Sequence, residues 1–125
     1  MYRVYDIQEK CWLHQVYQDE AERIYLFQKT LFGFGKLVDV TSQRYVSHRD
    51  IGIIDANGFL IFEGDILRLN NLNVIGIAAY AHEIGGYVML EDVKQEYYPL
   101  SSERSEHIEI IGNVFENSDL LPLKN

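Results

Sequence analysis

Short apolar runs alternate with short polar turns along almost the whole chain. Residues 2–7 and 12–17 are rich in aromatic and β-branched residues and flank the polar stretch "QEK", which predicts an N-terminal β-hairpin. Six further apolar runs follow at close spacing: "IGII", "FLIF", "ILRL", "VIGIAAY", "YVML" and "IEII". A count of about eight to ten short strands separated by turn residues is typical of an all-β barrel or sandwich with little helix.

The stretch "IDANGFLIFEGDILRL" contains two turns a few residues apart. Asn57 and Gly58 predict a tight hairpin because both tolerate positive φ, and Asp55 is expected to accept backbone N–H groups of that turn. Gly64 is expected in a left-handed or strained conformation, with Asp65 capping the turn. Leu67 and Leu69 would then lie on the inward face of the next strand.

Other glycines and two short helical turns complete the predicted scaffold. Gly85 and Gly86 predict a second hairpin, and Gly112 is a third expected turn position. One helical turn is expected at 19–23. Another is expected in "NSDLL", where Leu120 and Leu121 would both pack against the core.

Composition indicates a single globular domain. The chain has 125 residues, of which 47% are hydrophobic and 24% charged, and this length buries a sizeable core without disulfides. No apolar stretch approaches the ~18 residues of a membrane span, and the N-terminus has no apolar signal region, so a cytoplasmic protein is expected. Cys11 is the only cysteine, which excludes an internal disulfide and fits a reducing compartment.

The formal net charge of -8 disfavours general affinity for nucleic acid, because an acidic molecule repels phosphate backbones. A local basic surface formed by Arg44, Arg49 and Arg68 keeps a nucleic-acid accessory role open as an alternative. An acidic surface that imitates DNA is also open, although the sequence does not show how the carboxylates are spaced.

Catalytic patterns are weak. The string Ser47-His48-Arg49-Asp50 is not a catalytic triad, because neighbouring residues in a strand point to opposite faces. Glu63 and Asp65 straddle Gly64 and could hold Mg²⁺ or perform acid–base chemistry, although turn capping explains them better. We therefore predict no catalytic residue, no metal and no cofactor, with a small metal-dependent enzyme as the weakest alternative.

Tyr97, Tyr98 and Pro99 lie in the polar segment 94–105, where a recognition loop is expected because tyrosine is enriched at interfaces. The predicted role is binding of a protein partner through an exposed strand edge or an aromatic patch. A homo-oligomer is also plausible, since open β edges invite pairing.

Two sequence blocks resemble the YopX family of small proteins encoded by phages and prophages of Firmicutes. The family pattern "D-x-N-G-x-x-I-x-E-G-D-I" is matched by Asp55, Asn57, Gly58, Ile61, Glu63, Gly64, Asp65 and Ile66. The pattern "I-G-N-I-x-E-N" before a Leu pair is matched by Ile111, Gly112, Asn113, Val114, Glu116, Asn117, Leu120 and Leu121. The opening "YRVYD" is similar through Arg3, Tyr5 and Asp6, with Tyr5 where Trp is common.

This resemblance implies an all-β protein in which residues 44–121 form a small SH3-like barrel and residues 1–43 an added β region. It implies no biochemical activity, since that of the family is uncharacterised, and it suggests a host or phage protein as the partner. Five residues are the candidate binding residues: Glu63, Asp65, Tyr97, Tyr98 and Asn113.

Overall fold

The computed structural model describes residues 2–13, 16–18, 20–21, 23–29, 35–39, 44–91 and 93–121. The protein is mainly β, as predicted, with two short 3-10 helices in the described part of the chain. Its strands are β1 Tyr2–Asp6, β2 Cys11–Trp12, β3 Val16–Gln18, β4 Ile24–Lys29, β5 Gly35–Asp39, β6 Tyr45–Ile54, β7 Leu60–Phe62, β8 Asp65–Leu69, β9 Val74–Ala81, β10 Gly86–Glu91, β11 Tyr97–Pro99 and β12 Ile108–Asn113.

The chain forms two compact units, Met1–His48 and Arg49–Asn125. In the first unit, β1 pairs antiparallel with β2, so the predicted N-terminal hairpin forms. Its turn closes with the Lys10 N–H donating to the Asp6 carbonyl at 2.8 Å. Its second strand is Cys11–Trp12 and not 12–17 as predicted, since Val16–Gln18 belongs to another sheet. Strands β3, β4 and β5 form a separate antiparallel sheet. The single domain with parts 1–43 and 44–121 stays a prediction.

The second unit is built on a five-stranded antiparallel sheet with the strand order β11-β10-β9-β8-β12. Register places Leu67 of β8 opposite Gly76 of β9 and Ile110 of β12. Strand β7 pairs with β6 as a hairpin whose register shifts between Asp50 and Ile54. Closure of these strands into an SH3-like barrel stays a prediction.

One face of the five-stranded sheet forms the core of this unit. Leu67, Leu69, Ala78, Met89 and Ile108 are buried there. Isoleucines of the β6–β7 hairpin, Ile51, Ile53 and Ile61, pack against them. Each full aliphatic burial contributes about 1.5–3 kcal/mol, so this cluster supplies much of the folding free energy. The predicted inward face of β8 is confirmed, and Ile66 on its other face is fully buried as well.

The predicted hairpin turns form. In the β6–β7 turn, the residue with positive φ is Gly58. Gly58 has φ of 86°, whereas Asn57 is not among the residues with positive φ. The Asp55 N–H donates to the Phe59 carbonyl at 2.8 Å, which gives a three-residue loop with glycine in the left-handed position. The predicted hairpin therefore forms with positive φ at Gly58 and not at Asn57.

Gly85, with φ of 77°, closes the β9–β10 turn, and its N–H donates to the Ala81 carbonyl at 2.8 Å. Gly86 is the first residue of β10 instead of a turn residue, because the loop occupies residues 82–85. Gly64, with φ of 85°, connects β7 to β8, as expected. Gly112 lies within β12 at a β-bulge, where the register with β8 shifts between Ile110 and Gly112.

The helical predictions have mixed outcomes. A 3-10 helix at Ser118–Leu120 matches the predicted C-terminal turn, but only one of the two leucines packs inward: Leu121 is 1% exposed and Leu120 is 38% exposed. The predicted turn at 19–23 includes residues 19 and 22, which lie outside the described residues. The polar segment 94–105 is more regular than the predicted loop, since it contains β11 and the start of a 3-10 helix at Ser102–His107. No helix in the described ranges is long and apolar enough to cross a membrane.

Candidate binding site

Asp55 organises the β6–β7 turn and ties it to the neighbouring sheet. Its buried carboxylate accepts the N–H groups of Asn57 and Phe59 through Oδ1, both at 2.9 Å. The other oxygen, Oδ2, accepts the N–H of Ile110 on β12 at 3.1 Å. The predicted turn role of Asp55 is therefore present, with a contact to a distant strand that the local sequence does not show.

Glu63 and Asp65 serve different neighbours instead of converging on one point. The buried Asp65 Oδ2 accepts the Phe62 N–H at 2.8 Å, as expected for a turn cap. The Glu63 side chain is hydrogen-bonded to Tyr87, and burial together with this carboxylate raises the pKa of the tyrosine. Among the described residues, no three His, Cys, Asp or Glu side chains are placed to hold a metal ion.

Asn113 forms the turn that follows β12. Its Oδ1 accepts the N–H groups of Phe115 at 3.1 Å and Glu116 at 3.0 Å, and its Nδ2 donates to Glu116 Oε1 at 3.0 Å. The Asn117 Oδ1 accepts the Asn113 N–H at 3.2 Å. A Cβ atom on Gly112 would lie 2.6 Å from the Asn117 Cβ, so this turn needs glycine at 112. These contacts give the "GNVFEN" block a structural reason, and a binding role for Asn113 stays a prediction.

The two tyrosines predicted for recognition lie side by side on β11 and face opposite sides of the sheet. Tyr98 pairs with Met89 and packs against the core, whereas Tyr97 pairs with Leu90 and is 44% exposed. The Tyr98 hydroxyl donates to Glu96 Oε2 at 3.0 Å, and this bond is the main cause that raises the pKa of Tyr98.

Tyr98 forms one wall of a cleft with a volume of about 260 Å³. The start of β9 supplies a second wall, and the end of β10 with its following loop supplies the third. The lining residues are Asn73, Val74, Ile75, Glu91, Lys94 and Tyr98. A small cavity of about 30 Å³ lies on the other side of Tyr98, between the β8–β9 turn and the 3-10 helix that precedes β12. We call this region, comprising the cleft and the turns around it, the cleft end of the sheet.

The loop beside the cleft is held by a single carboxylate. Glu91 accepts the N–H of Val93 at 2.9 Å and the N–H of Lys94 at 2.6 Å. The Glu91 N–H in turn donates to the Glu96 carbonyl at 2.9 Å. The loop therefore presents Val93 and Lys94 from a backbone that is fixed at both ends.

The three arginines considered for nucleic acid are not equivalent, and only Arg49, on β6, is exposed. Arg44 forms a two-point ion pair with the buried Asp6, at 3.0 Å from Nε to Oδ1 and 2.9 Å from the terminal nitrogen to Oδ2. This hydrogen bond is the main cause that lowers the pKa of Asp6 to about 2. Arg68 lies in the middle of the sheet opposite Glu109 of β12. Arg44 is thus engaged in holding the first unit together.

Sequence reasoning identified Tyr98 but missed the other residues of the cleft. Asn73 to Ile75 are far along the chain from Glu91 and Lys94, and the two groups meet because Gly76 pairs with Glu91 across β9 and β10. The apolar runs predict that both strands exist, but not their register. The polar stretches "NNLN" and "EDVKQE" were the available signal, since they mark two turns that such a register brings together.

Comparisons with known proteins support the same fold. A structure of protein EF1440 from Enterococcus faecalis is similar with a TM-score of 0.62 at 24% sequence identity, over 96% of each chain. The structure of yopX from Bacillus subtilis is similar with a TM-score of 0.56 at 19% identity, also over 96% of each chain. No match was found among curated proteins. The family model described as YopX protein matches residues 1–122, nearly the whole sequence. This chain therefore belongs to the YopX family.

Proposed function

We propose that this protein is a non-catalytic module that binds another protein through the cleft end of its five-stranded sheet. We propose that, as the family resemblance implies, it is a phage or prophage accessory protein that acts in the bacterial cytoplasm. The observation that carries the proposal is the cleft together with two exposed apolar side chains on the turns beside it. Leu72 and Val93 are each 54% exposed. Tyr97 is 44% exposed but faces the other side of the sheet from Tyr98, so it is not counted with them.

Both side chains lie on turns that border the cleft. Val93 lies between the cleft residues Glu91 and Lys94, and Leu72 precedes Asn73 and lines the small cavity beside Tyr98. Large apolar side chains that are exposed together around a concavity cost hydration free energy in the free protein and mark interaction sites. The cleft is smaller than the ~300–1,000 Å³ of sites for small molecules. It is larger than a ~150 Å³ cavity that holds benzene. This size fits one large side chain of a partner.

A partner could also bind by pairing one of its own strands with an edge of the same sheet, but both edges are poorly suited to this. The edge strand β11 has three residues, and Pro99 has no N–H to donate. At the opposite edge, the Ile108 carbonyl accepts the Ala56 N–H and the Ile110 N–H is bonded to Asp55. Binding through a partner side chain that enters the cleft is therefore favoured over binding through an added partner strand.

The test compares the proteins captured by three tagged chains from bacterial cells carrying the corresponding phage or prophage. Leu72→Ser combined with Val93→Ser removes two apolar contacts at positions where the fold loses little, because both side chains are exposed. Ile84→Ser is the matched control, since Ile84 is 52% exposed in the turn at the other end of β9.

We expect quantitative mass spectrometry to find a protein that the wild type and the Ile84 variant capture and the double variant loses. The purified partner should then show the same order of affinities. Equal capture by all three chains, or loss caused by Ile84→Ser alone, contradicts the proposal. Light scattering shows whether the captured partner is a second copy of the chain.

A further inference from the structure

We infer that the partner presents a basic segment with one bulky aromatic or long aliphatic side chain, which enters the cleft beside Tyr98. This inference rests on the proposed function and specifies the chemistry of the partner. It combines the size and lining of the cleft with the charges around it.

The cleft wall can hold an apolar side chain. Val74, Ile75 and the ring of Tyr98 supply apolar surface. Val74 and Tyr98 also pack against the core, so these walls are positioned before a partner arrives. A preformed pocket of this kind lowers the ordering cost of binding, and aromatic anchors in such pockets supply much of the affinity at protein interfaces.

The turns around the cleft are acidic. In the described residues of the segments 70–73, 91–96 and 102–107, carboxylates outnumber Lys and Arg by four to two. The carboxylates are Glu91, Glu96, Glu103 and Glu106, and the cations are Lys94 and Arg104. These segments meet at one end of the sheet, because the Asn70 N–H donates to the His107 carbonyl at 2.8 Å and Asn73 lines the cleft together with Glu91 and Lys94.

Glu96 has the most direct position for a charged contact. It is exposed, and it contacts the cleft wall through the hydroxyl of Tyr98. Accepting a neutral hydroxyl leaves its negative charge uncompensated, so a lysine or arginine of a partner can bind it. Lys94, which lines the cleft, is the opposing cation, and it should repel the same partner. Complementary charge at a rim selects partners and speeds association more than it adds affinity.

These opposite signs make the inference testable with matched charge variants. A display library of random dodecapeptides is selected on the full-length chain, and enriched peptides are synthesised with a fluorescent label. Their dissociation constants are measured by fluorescence polarisation for the wild type and for three variants. Glu96→Gln removes the charge but keeps an oxygen for Tyr98, Lys94→Gln removes the opposing cation, and Glu83→Gln is the control in the β9–β10 turn at the other end.

We expect enriched peptides to carry net positive charge and one aromatic or long aliphatic residue. At low salt, Glu96→Gln should weaken binding about two- to five-fold and Lys94→Gln should strengthen it by a similar factor, while Glu83→Gln leaves it unchanged. The differences should shrink as salt is added.

Enrichment of acidic or uncharged peptides overturns this inference, and so does weaker binding after Lys94→Gln. If such peptides nevertheless lose affinity for the Leu72 and Val93 double variant, the proposed function stands and only the chemistry of the partner is wrong. If no peptide is enriched and the capture experiment finds no partner, both proposals fail.

Discussion

Asp55 is the residue on which the β6–β7 turn depends most. Three backbone N–H groups donate to its buried carboxylate, two within the turn and one from Ile110 on β12. Hydrogen bonds to an ionised acceptor contribute about 1.5–3 kcal/mol each and are not additive. Asp55→Ala should therefore lower the free energy of unfolding by about 2–4 kcal/mol, as measured by urea denaturation followed by circular dichroism.

Asp55→Asn is the informative second variant, because the amide keeps one acceptor oxygen and loses the charge. It should fall between the wild type and Asp55→Ala. Glu83→Ala, at an exposed position, should stay within about 0.5 kcal/mol of the wild type. Full stability of Asp55→Ala would show that the turn does not need its carboxylate.

Replacing a strand glycine by alanine should change the stability of the protein differently at Gly76 and at Gly86. A Cβ on Gly76 in β9 would lie 2.3 Å from the carbonyl oxygen of Leu90 on β10, and backbone in the centre of a sheet cannot easily move away. Nothing lies within 4 Å of a Cβ on Gly86, which does not have positive φ. Gly76→Ala should therefore destabilise the protein by about 1–3 kcal/mol. Gly86→Ala should be neutral or slightly stabilising.

Thermal unfolding of these two alanine variants compares the same chemical change at two sites in paired strands. A lower melting temperature for Gly76→Ala alone is expected. Equal melting temperatures would mean that β9 and β10 do not approach each other at Gly76 as the structure shows.

The C-terminal 3-10 helix places two adjacent leucines in opposite environments. Leu121 is almost fully buried, so Leu121→Ala creates a cavity and should cost about 2–5 kcal/mol. Leu120 is exposed, and Leu120→Ala should change stability by less than about 0.5 kcal/mol. Chemical denaturation of both variants measures the difference. Similar losses at the two positions would contradict the burial of Leu121 alone.

Across the whole molecule, the sequence predicts local features well and long-range contacts poorly. The turns at Gly58, Gly64 and Gly85 follow from backbone sterics, which depend on a few neighbouring residues. The bond from Asp55 to Ile110 and the cleft between β9 and β10 depend on strand register, which alternation alone does not fix. The same limit explains why Leu120 and Leu121 could not be separated, since adjacent residues in a short turn carry no periodic signal.

The stability of the first unit should depend on pH, because folding lowers the pKa of His48 and of Asp6. Burial is the main cause that lowers the pKa of His48 to about 4, with nearby Arg3 as a second cause. The unfolded chain, with an ordinary histidine pKa near 6.5, then binds more protons between about pH 6.5 and 4. Stability therefore falls as pH decreases through this range. The Asp6 carboxyl has a pKa of about 2 against 3.8 when unperturbed, so its ion pair with Arg44 stabilises above pH 3.8 and is lost as pH falls toward 2.

Two separate pH ranges should therefore appear in the unfolding free energy of the full-length protein. Trp12, the only tryptophan, reports on this unit by fluorescence because it contacts Tyr5, with ring centroids 4.9 Å apart. Asp6→Asn should be less stable than the wild type at neutral pH, and the difference should diminish between about pH 4 and 2, since the wild type loses the same charge there. His48→Gln should instead flatten the change between about pH 6.5 and 4 and leave the lower range intact. A constant difference between wild type and Asp6→Asn down to pH 2 would mean that the carboxylate does not hold Arg44 through its charge.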